Sequence, residues 1–260
     1  MKVVICTSNG IRHKYFANSI SSVVDDALII SESNSNDANP TIIDEHDSSI
    51  IEHFNLRYKT EMEKFHNNDF LEGKVVPLLY REINLDYTFN IIKNFNPDLM
   101  IVFGSSIIKE PLLSLLPNKI INLHLGLSPY YRGSGTNFWP FVNNELGYVG
   151  STILKIDSGV DTGDIICHVR PNIEIGDNVH TIGCKVIQES ISVIHEILER
   201  IKNNEKITST KQWAIKNEKY YKNKDFTKEI LLQYKKNLED GIVENYIKNP
   251  FTPERLISLN

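Results

Sequence analysis

Cysteine is scarce: there are three in 260 residues, and Cys6, Cys167 and Cys184 stand far apart in strand-like or helix-like surroundings. That spacing matches neither a zinc ligand set nor a disulfide framework, so buried reduced thiols are expected, and no metal. No apolar run approaches the ~20 residues that cross a bilayer, so no membrane association is expected. A basic surplus is missing too. Lys and Arg total 28 against 33 Asp and Glu, a net charge of −5. Proteins that hold nucleic acid through many phosphates carry a basic stripe, so nucleic acid is not the expected partner. Met1 leads straight into the strand-like Lys2-Val3-Val4-Ile5-Cys6, an opening that predicts no signal peptide and a cytoplasmic protein. There is no internal repeat.

What is present is an ordinary globular composition, 41% hydrophobic and 23% charged, long enough for one large α/β domain with a small appendage. Apolar strand-like segments at 2–7, 27–31, 98–103 and 119–124 alternate with helical ones, the pattern of an α/β, Rossmann-like fold with a mostly parallel sheet. Residues 86–95 read as an amphipathic helix stopped by Asn96-Pro97. A longer helix is predicted over 50–66, with Ile50, Ile51, Phe54, Tyr58, Met62 and Phe65 at helical spacing. The Ser/Asn/Asp-rich stretch 31–40 reads as a surface loop. Two strands, 148–156 and 164–169, follow around a turn-rich linker, and then the longest helix, 179–201. Beyond it the composition turns polar and rich in Lys and Asn. This divides the chain into a main domain, 1–205, and a small C-terminal subdomain, 206–260, expected to hold a short hairpin and one or two helices. Trp213, Tyr220 and Tyr221 would supply a small core there, or a contact between two copies of the chain.

The chemistry concentrates between residues 120 and 171. In Ile120-Ile121-Asn122-Leu123-His124, alternate side chains point the same way, so Asn122 and His124 share one face. They sit at the C-terminal end of a parallel strand, where open α/β sheets bind ligands. The following loop is shaped by Gly126, Pro129, Gly133 and Gly135. Farther on comes Asp157-Ser158-Gly159-Val160-Asp161-Thr162-Gly163, with Asp161 37 residues after His124. An Asn-x-His on a strand is by itself most often a hydrogen-bonded core pair. An Asp-x-Gly-x-Asp-x-Gly run is most often a tight turn, and here it lacks the glutamate that completes a calcium loop.

Together and in this order, the segments 122–133 and 157–166 resemble the signature of the folate-dependent formyltransferases. That superfamily includes glycinamide ribonucleotide transformylase, methionyl-tRNA formyltransferase and the sugar N-formyltransferases. The resemblance implies transfer of a formyl group from 10-formyltetrahydrofolate to a primary amine, with Asn122, His124 and Asp161 as catalytic residues and no metal. The residue types suit that chemistry. Attack of an amine on a formyl carbon places negative charge on the former carbonyl oxygen. A carboxamide and an imidazole N–H can both donate to it. An imidazole also accepts or relays the amine proton near neutral pH, and a carboxylate orients it. Many relatives have Pro-Ser after the histidine where this chain has Leu125-Gly126, so a hydroxyl is missing at that point.

The same resemblance implies that the loop Gly104-Ser105-Ser106-Ile107-Ile108 cradles the pterin. Ile107 and Ile108 would present backbone groups to it, and the loop carrying Gly159 would close the other side. At the end of the first strand, Thr7-Ser8-Asn9-Gly10 form a small-residue turn into a helix, a natural phosphate site to which Arg12, His13 and Lys14 add positive charge, or else a solvated helix start. The pair Tyr130-Tyr131, and Tyr131 first, is the candidate stacking surface for a nucleotide base, or else simply covers the loop. These residues point to a small-molecule amine acceptor, first of all the amino group of a nucleotide-linked amino sugar. Glycinamide ribonucleotide comes second. Methionyl-tRNA is third, because a 55-residue tail looks short for the tRNA-binding barrel of that family. A non-catalytic folate or nucleotide sensor is the rival from another class.

Overall fold

In the computed structural model, the described residues are 1–33, 47–66, 68, 70–159, 161–216 and 218–260. In chain order they form β1 (Lys2–Ser8), α1 (Ile11–Ser21), β2 (Asp26–Ser33), α2 (Ser48–Lys64), β3 (Lys74–Leu79), α3 (Asp86–Phe95), β4 (Leu99–Phe103) and β5 (Ile120–His124). Then follow β6 (Tyr131–Gly133), β7 (Ser151–Lys155), β8 (Ile165–Val169), α4 (Val179–Lys202), β9 (Lys219–Tyr221), α5 (Lys228–Glu239) and α6 (Ile242–Lys248). Seven strands make one sheet in the order β3-β2-β1-β4-β5-β7-β8. The first five run parallel, and β7 and β8 are antiparallel. The expected α/β, mostly parallel architecture is the one observed.

Both faces of the parallel part are covered, which is why its strands are apolar almost throughout. Along β1, Val3 and Ile5 face a core built with Phe16 and Ile20 of α1 and Ile187 and Ile194 of α4. Val4 and Cys6 face the opposite core, with Ile92 of α3. Helix α3 has its predicted limits. It ends where Asn96 adopts a left-handed φ of 51° ahead of Pro97, a conformation asparagine tolerates better than most residues. Helix α4 begins with a capping box in which the Asn178 side chain accepts from the Thr181 amide and Thr181 Oγ1 from the Asn178 amide. All three cysteines are buried and free. Burial pushes the Cys167 and Cys184 thiols up to about 12.

Three expectations need correction. Strand β3 went unrecognised because it is a half-exposed edge strand interrupted by Pro77, and prolines are tolerated at sheet edges. In α2 the apolar stripe is not the buried face throughout: Tyr58 is 61% and Met62 40% exposed, whereas His53, Thr60 and Glu61 are buried. One side of this helix borders an open cleft, and the other packs polar groups against α1 and α4. The hairpin expected in the tail is instead a long-range pair, with β9 running parallel to β6 and Arg132 opposite Tyr220. Of the stretch read as a surface loop, residues 31–33 belong to β2 and 34–40 lie outside the described residues.

The segment after residue 205 shares its core with the loop after β5. Leu231, Tyr234, Ile242 and Val243 pack with Tyr130, Tyr131, Phe138, Trp139 and Phe141. Trp213 packs at the edge of the same cluster, under the Arg255 guanidinium at 4.2 Å. No helix among the described residues is long and apolar enough to cross a membrane.

Candidate active site

The strand β5 presents Asn122 and His124 one pleat apart, opposite Leu154 and Thr152 of β7. The turn between β7 and β8 returns Asp161 to the same spot. Its Oδ2 lies 3.3 Å from His124 Nδ1, and its Oδ1 accepts from Asn122 Nδ2 at 3.3 Å. The second contact fixes the orientation of the Asn122 carboxamide, because only the NH2 edge can face a carboxylate. The other ring nitrogen, His124 Nε2, faces the Tyr131 carbonyl at 3.3 Å. Both ring nitrogens thus face oxygen atoms. The ring is 7% exposed.

The Leu125-Gly126 departure has a local reason. A Cβ on Gly126 would collide with the Thr136 side chain and with His124 Nε2. Thr136 Oγ1 donates to the Leu125 carbonyl, and Thr152 Oγ1 donates to the Gly126 carbonyl at 2.6 Å while accepting from the Ser128 amide at 2.8 Å. Two threonine hydroxyls therefore brace the carbonyls of Leu125 and Gly126, directly after His124. Thr136 carried no sequence signal.

These residues line a cleft of about 1590 Å³, larger than the roughly 300–1,000 Å³ of an ordinary single-ligand site. Every predicted site residue except Tyr131 borders it. On one side, Gly104 takes a left-handed φ of 74°, and a Cβ there would run into the His13 ring. Three backbone groups of this loop are already engaged: the Ser106 amide donates to buried Glu32 at 2.6 Å, the Ser106 carbonyl accepts from Ser105 Oγ at 3.1 Å, and the Ile107 carbonyl accepts from Asn84 at 2.8 Å. Ile107 is 53% exposed, whereas Ile108 is buried in the core, so Ile107 offers its side chain to the cleft and Ile108 anchors the loop. Across the cleft, Asp157 Oδ1 accepts from the Gly159 amide at 2.9 Å and from Thr162 Oγ1 at 2.7 Å, which shapes the turn carrying Asp161.

At the other end, Asn9, Arg12, His13 and Lys14 open α1 as expected. The Arg12 guanidinium is bound to Glu61 of α2, with Arg57 at 3.6 Å from the same carboxylate. Burial pushes the Glu61 carboxyl up, but Arg12 and Arg57 outweigh it and hold it below its usual range. The His13 ring is buried against Phe103 at 4.9 Å.

Tyr131 does not meet its assignment. It is 1% exposed, its hydroxyl donates to Glu145 and accepts from Asn143 at 2.9 Å, and no face is left for a base. Tyr58 and Tyr80 border the cleft, as do two rings from β9: Tyr220 is half exposed, and Tyr221 stacks on Trp139 at 3.9 Å. Sequence reading missed the β9 pair because β9 is three residues long and meets β6 only through the fold. Among the described residues, no group of three or more His, Cys, Asp or Glu could hold a metal ion.

Near this end, His53 and His180 stack at 4.4 Å inside a cage that includes Phe54, Phe138 and Phe226. Burial, and then Arg57, lowers His53 to about 4; burial, and then His53, lowers His180 to about 2. Histidines in the unfolded chain take up protons near pH 6.5. The folded state therefore has its full advantage above pH 6.5 and loses stability as the pH falls, by about 2 kcal/mol per histidine at pH 4.5. Thermal melts of wild type and His53→Phe from pH 7.5 to 4.5 should show a flatter decline for the variant. Equal slopes would remove this pair from the acid sensitivity.

Residues 79–198 match the formyl transferase family model. Over 129 residues the chain is 33% identical to a methionyl-tRNA formyltransferase of Caldicellulosiruptor saccharolyticus, covering 49% of this chain and 40% of that one. The chain spans less than half the length of the first curated relatives it matches. The fold is that of the phosphoribosylglycinamide formyltransferase of Anaplasma phagocytophilum, with a TM-score of 0.56, 15% identity, and 85% of this chain and 97% of that one covered. It is shared by the formyltransferase PseJ of Anoxybacillus kamchatkensis, solved with UDP-4,6-dideoxy-4-formamido-L-AltNAc and tetrahydrofolate, at a TM-score of 0.52 and 22% identity over 86% and 87% of the two chains. Over residues 79–198 the chain is thus similar to the formyl transferases, and it shares the fold of solved formyltransferases.

Proposed function

We propose that this protein transfers a formyl group from 10-formyltetrahydrofolate to the primary amine of a nucleotide-linked amino sugar. The observation that carries the formyl-transfer reading is the Asn122–His124–Asp161 cluster at the centre of a cleft large enough for two ligands. The donor side fits the loop 104–108, where exposed Ile107 and the carboxamide-braced backbone offer an apolar edge, and the turn around Gly159 stands opposite. Bound there, the folate supplies an activated formyl carbon. Asn122 has one N–H on Asp161 and a second available for the charge that develops on the formyl oxygen. His124 takes the proton lost by the attacking amine and delivers it to the departing nitrogen, with Asp161 holding the ring at Nδ1.

The acceptor reading rests on the other end of the cleft. Asn9 and Lys14 at the start of α1, with Lys222 also at the cleft and Arg12 held beside them by Glu61, suit a compact diphosphate. Half-exposed Tyr220, rather than Tyr131, offers a ring to a base. PseJ, which shares the fold, was solved with a nucleotide-linked formamido sugar. Among the described residues beyond 205, the helices α5 and α6 pack on the loop after β5. Side-by-side assays with dTDP-, GDP- and UDP-linked amino sugars, glycinamide ribonucleotide and methionyl-tRNA test the choice. Turnover of an amino sugar is expected; turnover of one of the other two alone would overturn the sugar reading and leave formyl transfer standing.

A further inference from the structure

We propose that Gln212, from the segment beyond the family match, is a positioning residue that clamps the backbone at Asp161 and again two residues on, at Gly163. Its Nε2 donates to the Asp161 carbonyl at 2.7 Å and to the Gly163 carbonyl at 2.9 Å. The carboxamide has two N–H donors in one plane, so a single side chain holds both carbonyls at once.

The placement of Gln212 follows from pairing. Ile165 and Thr210 form an antiparallel bridge, with hydrogen bonds of 2.8 and 2.7 Å in the two directions. Continuing that register sets residue 212 opposite residue 163, on the same side as Thr210. The tail thus lies along the edge of β8 and delivers Gln212 to the turn. The turn needs such a hold. Asp161 has a φ of 53°, a left-handed conformation that residues other than glycine rarely keep without support. Gly163 packs so tightly on the Lys155 carbonyl that a Cβ would not fit. Between these two points the carboxylate makes only 3.3 Å approaches to Asn122 and His124, so small movements of the turn decide whether the three groups act together.

The inference rests on the formyl-transfer reading for its kinetic consequence, but the clamp is also measurable without substrate. The variants Gln212→Ala and Gln212→Glu are compared with wild type, the second nearly isosteric but unable to donate. In hydrogen exchange, amides in 157–163 should exchange ~10-fold faster in both variants, with other segments unchanged and the melting temperature within a few degrees. In formyl transfer, kcat should fall ~10-fold while the KM values for folate donor and amine stay within ~3-fold. Wild-type exchange and kcat in both variants would overturn the clamp. Faster exchange throughout the chain, with kcat falling only in step with stability, would also overturn it. A wild-type protein that transfers no formyl group, yet shows the local exchange change on substitution, would contradict the function and leave the clamp in place.

Discussion

Replacing His124 with alanine is expected to lower kcat by ~100-fold or more, the scale of removing a positioned acid–base group. The effect should be on turnover, because the ring meets Asp161 and the Tyr131 carbonyl rather than the ends of the cleft proposed for donor and acceptor. Asp161→Asn should fall comparably and is a cleaner probe than alanine. Asparagine accepts the left-handed φ of 53°, so the turn survives while the charge facing His124 Nδ1 is lost. Both variants should keep a cooperative melt. A turnover within twofold of wild type in either would remove that residue from the chemistry.

Asn122→Ala should lose ~3 kcal/mol of transition-state stabilisation, roughly 150-fold in kcat, if its second N–H meets the developing oxyanion. The KM for folate should barely move, since the interaction strengthens only as charge develops. Asn122→Asp sharpens the test. It keeps the size, removes the donor, and brings a second carboxylate to the place where Asn122 Nδ2 now stands 3.3 Å from Asp161. Like charges so close disfavour the ionised pair, so this variant should be at least as slow as alanine. Wild-type turnover by Asn122→Ala would refute the oxyanion role.

How far the sequence could be read depended on whether the information was local. The parallel strands were legible as apolar runs because both faces of the sheet are covered. The common face of Asn122 and His124 followed from strand alternation. Asp161 was reachable only through resemblance, since nothing in the turn itself says which strand it will face. The failures concern partners brought in by the fold. Tyr131 looked available because Asn143, Glu145 and Tyr221, which enclose it, come from a later turn and from the tail. Arg12 looked like a phosphate ligand alone, but Glu61, 49 residues later, engages its guanidinium. Helix α2 was read from its apolar spacing, although its buried face carries His53 and Glu61. Gln212 gave no signal at all, because its role depends on one bridge between Thr210 and Ile165.

On the proposed reading, this cleft moves a formyl group from a reduced folate to an amine. The most direct measurement follows carbon-13 NMR of 10-formyltetrahydrofolate labelled in the formyl carbon, mixed with the protein and an amino-sugar nucleotide. The expected result is loss of the donor signal matched by a new formamide signal on the acceptor, absent without amine and slowed ~100-fold or more by His124→Ala. A label that stays on the donor, or leaves as formate at the same rate with or without the amine, would contradict it.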